Sequence, residues 1–535
     1  MKKYKIAIIP ILIFSIIFIA VPPSCLFAET PEKKVIFMVM DGTNSDVVTL
    51  ARWYKGSPLH LDNILTGGVR TYSAQSAITD SAAGGTAMAT GFKTNADFIG
   101  MIPDGEGSKP AVSLLEAARI QGYGTGIVST SPVQHATPAA FSAHVKNRDE
   151  FSDIAEQQVY QGMDVVFGGG LAWLHSGGDK RRADDDGMLK TKESARKDKE
   201  NLLKIIEEKD YQILETKADL DGRSSGRLWG SFADEDMAYD FDRAALLPEQ
   251  PSLGEMTSAA IERLDQSGHG FFLFVEGSKI DWAAHKNDPI GMISEVLAFD
   301  EAVGEAVDFA KRDGNTMVIA VTDHGNSGLT IGNGSTDKNY FDQPVKQIIE
   351  PLKKARLTAK GASSQLEKDR SNLKEVLVSY GLQDHTDKEF CRVEKAGSIT
   401  ELEDEMAAML SKRACLGFTT HGHTGEDVFL YAYGPEKPTG LHENTDLATS
   451  VSNFLGLDLA GMSKWYVDAR EYYEAKGYET KIDMSDSHNP KFVAQNEQEE
   501  LVFPENKNIM IRNGDKIELQ AVNVYNGNTF FVHVE

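Results

Sequence analysis

The sequence predicts an α/β fold with a large, mostly parallel central sheet and helices on both of its faces. Two observations predict it. Short, continuous apolar runs alternate along the chain with longer stretches of helical periodicity, which is typical of a parallel sheet covered by helices. Polar residues also follow four of these runs, at the position where open α/β sheets bind ligands. A chain of 535 residues is long enough for one large domain with insertions.

The predicted strands are the continuous apolar runs, because a strand buried on both faces has no polar side. In chain order they occupy residues 34–40, 124–130, 271–275, 317–321 and 428–433. The predicted helices occupy residues 112–121, 193–208, 257–265, 290–311 and 444–455. Residues 176–242 are highly charged, and we expect them to form a surface excursion.

Two further segments stand apart from this alternation. Residues 331–412 form a long charged insertion with predicted helices at 346–354 and 363–380. From about residue 501, alternating strands flank Asn513-Gly514 and Asn526-Gly527, which are strong hairpin turn signals. The sequence therefore predicts an insertion before the last strand of the sheet and a small C-terminal β unit.

The first 28 residues are predicted to be a secretory signal peptide. Lys2, Lys3 and Lys5 precede an apolar run over residues 6–21, and Ala28 offers a cleavage site. The alternative is an uncleaved membrane anchor, for which the apolar run is short. No later apolar run approaches that length, so we expect an exported mature protein, periplasmic or extracellular, without a membrane span.

The net charge and the cysteine count limit the partners. A formal charge of −25 argues against nucleic acid, whose phosphates would repel the chain. An anionic substrate would need local positive charge, such as a bound metal ion. Cys391 and Cys415 could pair in an oxidising compartment, but the sequence does not decide this.

The most distinctive stretch is TDSAAGGTAMATG at residues 79–91. Ser81 follows Asp80 directly and precedes small residues only, so we expect it in the first turn of a helix. Helix N-termini offer unpaired N–H groups and partial positive charge, which suit a phosphate. The alternative is an ordinary tightly packed helix with Ser81 as its N-cap.

Acidic, imidazole and hydroxyl side chains follow the predicted strands. The candidates for a site are Asp41, Thr137, Arg148, Glu276, Asp281, His285, Asp323, His324 and His423. Mixed carboxylate and imidazole ligands suit zinc, whereas oxygen ligands with a hydroxyl suit magnesium. His285 lies four residues after Asp281, which puts both on one face of a helix. A guanidinium such as that of Arg148 can hold two phosphate oxygens.

Five motifs together resemble the alkaline phosphatase family. They are the stretch at 79–91, ATPAAFSAHVKNR (136–148), VEGSKIDWAAH (275–285), VTDHG (321–325) and HTGEDV (423–428). They occur in the family's order and cover most of residues 34–456. The resemblance implies hydrolysis of phosphate monoesters to alcohol and inorganic phosphate, with Ser81 as the nucleophile that forms a phosphoseryl intermediate.

The resemblance also implies three metal ions and their ligands. One zinc would be held by Asp41, Asp323 and His324, and a second by Asp281, His285 and His423. A magnesium ion would be held by Asp41, Thr137 and Glu276. His423 is preferred to His421 because it begins the HTG triplet, and His144 is interpreted as structural.

The remaining implied roles concern the substrate. Asp80 would position Arg148, which binds the phosphate together with His135 and Trp282. Some members have Asp and Lys at the positions of His135 and Trp282, so the identity and occupancy of the third metal stay open. The family also suggests a homodimer.

The implied domains are a signal peptide (1–28), a catalytic domain (29–330 and 413–460), a cap- or crown-like insertion (331–412) and a C-terminal extension with β-hairpins (461–535). Two other enzymes of the same superfamily compete with the monoesterase. A sulfatase would carry Cys or Ser before x-P-x-R, which the sequence after Ser81 does not match. A phosphodiesterase would lack the arginine and the third-metal set. The last alternative is a binding protein on an inactive scaffold.

Overall fold

The sequence folds into many short strands, most of which belong to a few sheets. The structure is a computed structural model that describes residues 32–176, 196, 198, 200–222 and 226–534. Within these ranges the strands are β1 (Lys34–Met40), β2 (Leu65–Arg70), β3 (Met101–Asp104), β4 (Gly107–Pro110), β5 (Gly124–Pro132), β6 (Val165–Gly169), β7 (Tyr211–Leu214), β8 (Arg227–Ser231), β9 (Phe271–Gly277), β10 (Thr316–Val321), β11 (Gly325–Asn326), β12 (Thr330–Ile331), β13 (Leu416–Gly417), β14 (His423–Thr424), β15 (Val428–Tyr433), β16 (Gly440–Glu443), β17 (Tyr466–Asp468), β18 (Glu479–Asp483), β19 (Lys491–Gln495), β20 (Glu500–Pro504), β21 (Ile509–Arg512), β22 (Asp515–Glu518), β23 (Val524–Tyr525) and β24 (Phe530–His533).

The helices lie between these strands, as the alternation predicts. In the same ranges they are α1 (Ser45–Lys55), α2 (Ser81–Thr90), α3 (Leu114–Ile120), α4 (Ala136–Ala140), α5 (Phe151–Gln161), α6 (Leu202–Glu208), α7 (Lys217–Asp221), α8 (Asp240–Leu246), α9 (Leu253–Asp265), α10 (Lys279–His285), α11 (Pro289–Asp313), α12 (Val345–Leu352), α13 (Ala359–Ser364), α14 (Leu373–Ser379), α15 (Asp387–Glu394), α16 (Ile399–Arg413), α17 (Asn444–Leu455), α18 (Leu459–Met462) and α19 (Ala469–Glu474).

The central sheet has ten strands in the order β16-β2-β15-β10-β1-β9-β5-β6-β8-β7. Its pairings are parallel except for those of β15, which is antiparallel to β10 and to β2. Alternate residues of β1 enter two different hydrophobic cores: Ile36 and Met38 lie in one, Val35 and Phe37 in the other. Helices thus cover both faces, and the predicted α/β fold is confirmed.

The insertion is helical and packs closely on one face of the sheet. Its two ends meet where β12 pairs with β13 in antiparallel register. Apolar residues from its helices, such as Leu352, Leu377 and Leu410, are buried in the same core as Ile36. The predicted helix at 363–380 is wrong as one element, because α13 ends at Ser364 and Arg370 adopts a positive φ of 59° before α14 begins.

The C-terminal region forms a separate antiparallel sheet of five strands, β18 to β22, beside the small sheet β17-β24-β23. Asn513-Gly514 joins β21 to β22, and Asn526-Gly527 lies in the turn between β23 and β24, so both predicted hairpins are confirmed. The β unit begins at Glu479, earlier than predicted, because β18 and β19 lack a comparable turn signal.

The prediction for residues 176–242 is wrong in part. β7 and β8 lie in this segment and extend the central sheet at one edge, with Leu228 and Trp229 fully buried. The charged residues around these short strands hid them in the sequence. Residues 177–195 lie outside the described ranges, as does the predicted signal peptide at 1–28.

Cys391 and Cys415 are both free thiols, so the possible disulfide does not form in this structure. Among the helices of the described ranges, none combines the length and the apolar character that a membrane crossing requires.

Candidate active site

Ser81 is the first residue of α2 and is 2% exposed. Asp80 caps this helix, and its Oδ1 accepts a hydrogen bond from the Ala83 amide at 3.1 Å. The alternative with Ser81 as the N-cap is therefore wrong. The Ser81 Oγ instead lies 3.1 Å from the Nε2 atom of His324.

The small residues of α2 allow this helix to approach the end of the sheet. A Cβ atom added at Gly84 would lie 3.3 Å from the Asp323 side chain, and one at Gly85 would lie 3.0 Å from that of Ala140. Contacts this short leave no room for larger side chains. The Ala- and Gly-rich sequence thus brings Ser81 against the carboxyl ends of the strands.

Three carboxylates meet at that edge because of the strand order. β1 lies between β9 and β10, and Val39 is in register with both Glu276 and Val321. Asp41 and Asp323 each follow two residues later. All three carboxylates are buried, and the structure provides no hydrogen-bond partner for Asp41 Oδ1, Glu276 Oε1 or Asp323 Oδ2 among its described residues.

Three histidines direct their Nε2 atoms toward carboxylates at this edge. His324 faces Asp41 and Asp323, whereas His285 and His423 face Asp281. Their Nδ1 atoms each lie near a backbone carbonyl: His285 near His421 O (2.6 Å), His423 near Thr79 O (2.9 Å) and His324 near Gly325 O (3.2 Å). A carbonyl only accepts, so the proton is assigned to Nδ1 and the lone pair to Nε2. This tautomer is the one that binds metal through Nε2.

Six of the predicted ligands, together with His135, form three neighbouring groups. In each group the ligand atoms lie within 4.8 Å of one another. The groups are Asp41, Asp323 and His324; Asp281, His324 and His423; and Asp41, His135 and Glu276. His285 Nε2 lies 3.3 Å from Asp281 Oδ2, and Thr137 Oγ1 donates to Asp41 Oδ2 at 3.3 Å. His421 is exposed and contributes its carbonyl, whereas the His423 ring stacks on His324 at 3.6 Å.

Arg148 lies on the loop before α5, facing the N-terminus of α2. Its guanidinium is 3.4 Å from Asp80 Oδ2 and 3.4 Å from His135 Nε2. The His135 ring in turn contacts Trp282 edge-on at 5.5 Å. The residues predicted to bind the phosphate thus adjoin one another. His144, by contrast, is buried against Glu116.

The electrostatics of the site suit cations. Burial and the charges of Asp323 and Asp281 raise the pKa of Asp41 well above its usual value, and burial raises the pKa of Glu276 to about 7. Burial and Arg148 lower the pKa of His135 to about 3, so its imidazole is neutral. Acceptors without donors and neutral imidazoles fit divalent metal ions.

The sequence analysis missed two residues that contact these ligands. Asn326 donates to Asp281 Oδ1 at 2.6 Å, and Ser129 donates to Glu276 Oε2 at 2.6 Å. His135 was predicted to bind the substrate, with its effect on the third metal left open, and it joins Asp41 and Glu276 in one group of ligand atoms. The position of His135 two residues before Thr137 was an available signal.

The comparisons with known proteins agree with this geometry. The family model for alkaline phosphatase matches residues 32–457. The chain belongs to the alkaline phosphatase family. It is 36% identical to alkaline phosphatase 4 of Bacillus subtilis (strain 168), in a match that covers 79% of this chain and 88% of the relative. Such relatives show that the chain is a phosphatase enzyme, as predicted.

Solved structures of alkaline phosphatases share the fold. The Thermus thermophilus enzyme matches with a TM-score of 0.69 and 29% identity, over 80% of this chain and 92% of that chain. A variant of the TAB5 enzyme, from an Antarctic bacterium, matches with a TM-score of 0.57 and 26% identity, over 80% and 99%. In that variant a histidine is replaced by aspartate, and Mg is bound in the M3 site.

Proposed function

We propose that this phosphatase hydrolyses phosphate monoesters through a phosphoseryl intermediate on Ser81, with two zinc ions and one magnesium ion. One observation carries the proposal. The Ser81 hydroxyl lies at a helix N-terminus beside His324 Nε2 and opposite Arg148. It is next to buried carboxylates that each have an oxygen without a hydrogen-bond partner among the described residues. A phosphate and divalent metals together would satisfy all of these groups.

The ligand sets are those that the family resemblance implies, and the donor chemistry agrees with them. Asp41, Asp323 and His324 would hold one zinc, and Asp281, His285 and His423 the other. Asp41, Thr137 and Glu276 offer the oxygen ligands that magnesium prefers. When bound, the ions supply charge for the attacking and leaving oxygens of an in-line displacement.

Ser81 would act as the nucleophile. Its Oγ would release its proton to solvent and form a bond to phosphorus as the ester P–O bond breaks, and the alkoxide would take up a proton from solvent and leave as the alcohol. Water then attacks the phosphorus of phosphoserine, which releases inorganic phosphate and restores the hydroxyl. The N-terminus of α2 places backbone N–H groups and partial positive charge beside the phosphate throughout.

Arg148 and its neighbours would set the substrate class. A monoester dianion offers two charged oxygens to a guanidinium fork, whereas a diester carries one charge less. Asp80 holds Arg148 through Oδ2, which also accepts from the Asp97 amide at 3.0 Å. His135 and Trp282 complete the wall beside the guanidinium.

Magnesium is the proposed third metal, with neutral His135 beside its ligands. The magnesium in the M3 site of the TAB5 variant supports a site of this kind in the family. His135 takes part in the same group of ligand atoms here, so it is a candidate for tuning that site.

The remaining proposals concern the whole protein. We propose a signal peptide at 1–28 and export to the periplasm or the exterior, and a homodimer in solution. The domain limits 29–330 with 413–460, 331–412 and 461–535 also remain predictions.

The experiment compares p-nitrophenyl phosphate with bis(p-nitrophenyl) phosphate, each with and without chelator. We expect rapid, chelator-sensitive monoester hydrolysis and slow diester hydrolysis. Acid quenching with labelled monoester should place phosphate on Ser81. Faster diester hydrolysis would establish a phosphodiesterase, and no hydrolysis of either ester would establish an inactive scaffold.

A further inference from the structure

A cluster of buried hydroxyls lies behind Glu276 and has no part in the roles described above. Ser129, Ser131 and Ser278 are each fully buried. Ser129 Oγ lies 2.6 Å from Glu276 Oε2, 2.9 Å from Ser131 Oγ and 2.8 Å from Ser278 Oγ. The three hydroxyls thus form one buried network that ends on a single carboxylate oxygen of Glu276.

The sheet itself builds this cluster. β5 and β9 are parallel neighbours, and Ser129 is in register with Glu276. The pairing of β5 with β6 is irregular between Val128 and Pro132, and such bulges redirect side chains near active sites. The Ser131 amide accordingly donates to Ser129 Oγ at 3.2 Å.

The donor at Ser129 can be assigned for the metal-loaded enzyme. There the Glu276 carboxylate would be ionised and would only accept, so the single hydroxyl proton of Ser129 points to Glu276 Oε2. The two lone pairs of Ser129 then accept from the Ser131 amide and the Ser278 hydroxyl. When a hydroxyl oxygen accepts hydrogen bonds, the hydrogen bond that the same hydroxyl donates becomes stronger.

The two oxygens of Glu276 therefore differ. Oε2 is held by Ser129, while Oε1 has no partner among the described residues and lies in the group with Asp41 and His135. We infer that Ser129, supported by Ser278, is a positioning residue that fixes the Glu276 carboxylate so that Oε1 alone faces the third metal. This inference rests on the proposed function, because it assumes that a metal binds there.

The test measures magnesium binding to the zinc-loaded enzyme by isothermal titration calorimetry. Ser129→Ala should raise the Kd for magnesium by about 10- to 100-fold, the usual effect of losing a partner of a metal ligand, with two zinc ions retained. Ser129→Thr restores a hydroxyl and should recover most of the affinity. Ser278→Ala should raise the Kd for magnesium by a smaller factor. This variant replaces Ser129→Ala in the test if Ser129→Ala does not fold.

Ser294→Ala is the matched control. Ser294 is a fully buried serine whose hydroxyl lies 3.1 Å from the buried carboxylate of Glu295, on α11. The Ser294→Ala variant should have the same Kd for magnesium as the parent enzyme. In the chelated protein it should change the melting temperature about as much as Ser129→Ala does.

Two results would overturn the inference. One is a wild-type magnesium Kd in folded Ser129→Ala or, failing that variant, in Ser278→Ala. The other is an equal loss of zinc and magnesium, which would mean a structural role. If the parent enzyme binds no magnesium at all, the third metal of the proposed function fails, and the inference fails with it; the parent titration alone identifies that case.

Discussion

Two regions of the molecule hold buried or half-buried carboxylates close together, and they differ in how the charge is balanced. At the edge of the central sheet lie Asp41, Glu276 and Asp323. Near the C-terminal sheet, Glu156 and Glu200 lie on either side of Lys507, whose Nζ is 2.8 Å from an oxygen of each. In the described part of the chain, the first region forms no ion pair with a lysine or an arginine.

The difference favours the sheet edge as the region that would take up an external cation. Burying a carboxylate is costly unless a positive charge or donors accompany it. Near the C-terminal sheet the chain supplies that positive charge itself, through Lys507. One lysine does not neutralise two carboxylates, however, and burial raises the pKa of Glu156 to about 8. At the sheet edge imidazoles replace the lysine, and their Nε2 lone pairs could bind a metal ion.

The largest expected effect is at the nucleophile. Ser81→Ala should lower kcat for monoesters on the order of a thousandfold, because the attacking oxygen is removed. Zinc and magnesium content, measured by mass spectrometry, should not change. A kcat within tenfold of the parent would contradict the covalent mechanism.

Removing the positive charge of Lys507 should lower the stability of the fold and leave the catalytic rate unchanged. Lys507→Met leaves the buried Glu156 and the half-buried Glu200 without their partner, and we expect a loss of about 3–5 kcal/mol in the free energy of unfolding. Urea unfolding of the metal-loaded enzyme measures it. The fraction of the variant that is folded should have the kcat of the parent enzyme, since Lys507 contacts neither Ser81 nor Arg148.

Lys516→Met is the control for that variant. Lys516 is exposed on β22, so its removal should change stability by less than about 0.5 kcal/mol. If Lys507→Met is equally harmless, the lysine does not balance the carboxylates, and the comparison between the two regions breaks.

Arg148 gives a smaller effect that depends on the substrate. Arg148→Ala should slow monoester hydrolysis by about tenfold to a thousandfold, because charge-assisted bonds to the dianion are lost. Diester hydrolysis should change much less, and Arg148→Lys should recover only part of the loss. Equal losses for both esters would mean that Arg148 acts through the metals or the fold.

The smallest effect is the pH dependence of the metal-free enzyme. The folded pKa of Glu276, about 7, lies above its unfolded value, so its contribution to stability is present at low pH and is lost as pH rises through 7. The free energy of unfolding should therefore fall by on the order of 1–3 kcal/mol between pH 5 and pH 8 relative to the metal-loaded enzyme. A difference between the two forms that does not vary with pH would argue against buried, uncompensated carboxylates.

Much of the fold could be predicted from local patterns. β1 has the bounds that its apolar run predicts, and α17 begins and ends as predicted. Strands β7 and β8 could not be found, because each has only four or five residues among charged neighbours. The direction of the strands could not be predicted from the sequence either. β15 is apolar like the parallel strands of the sheet, but it is antiparallel to its neighbour β10.

The candidate site could be predicted where a residue follows a strand or belongs to a motif. Asp41, Glu276 and Asp323 carried that signal. Ser129 did not, because it lies inside a strand and acquires its role only through the register with β9. The hydrogen bonds that fix the histidine tautomers come from carbonyls at Thr79, Gly325 and His421, which no side-chain pattern reveals.

Metal titration of the chelated enzyme tests the central claim most directly. The claim is that the sheet edge needs an external cation, whereas the Lys507 region does not. Added zinc and then magnesium should bind as two ions and one ion per chain, restore monoester hydrolysis and raise the melting temperature, because ions that bind only the folded state stabilise it by about 4 kcal/mol at a thousand times Kd. Full activity and an unchanged melting temperature after exhaustive chelation would contradict it.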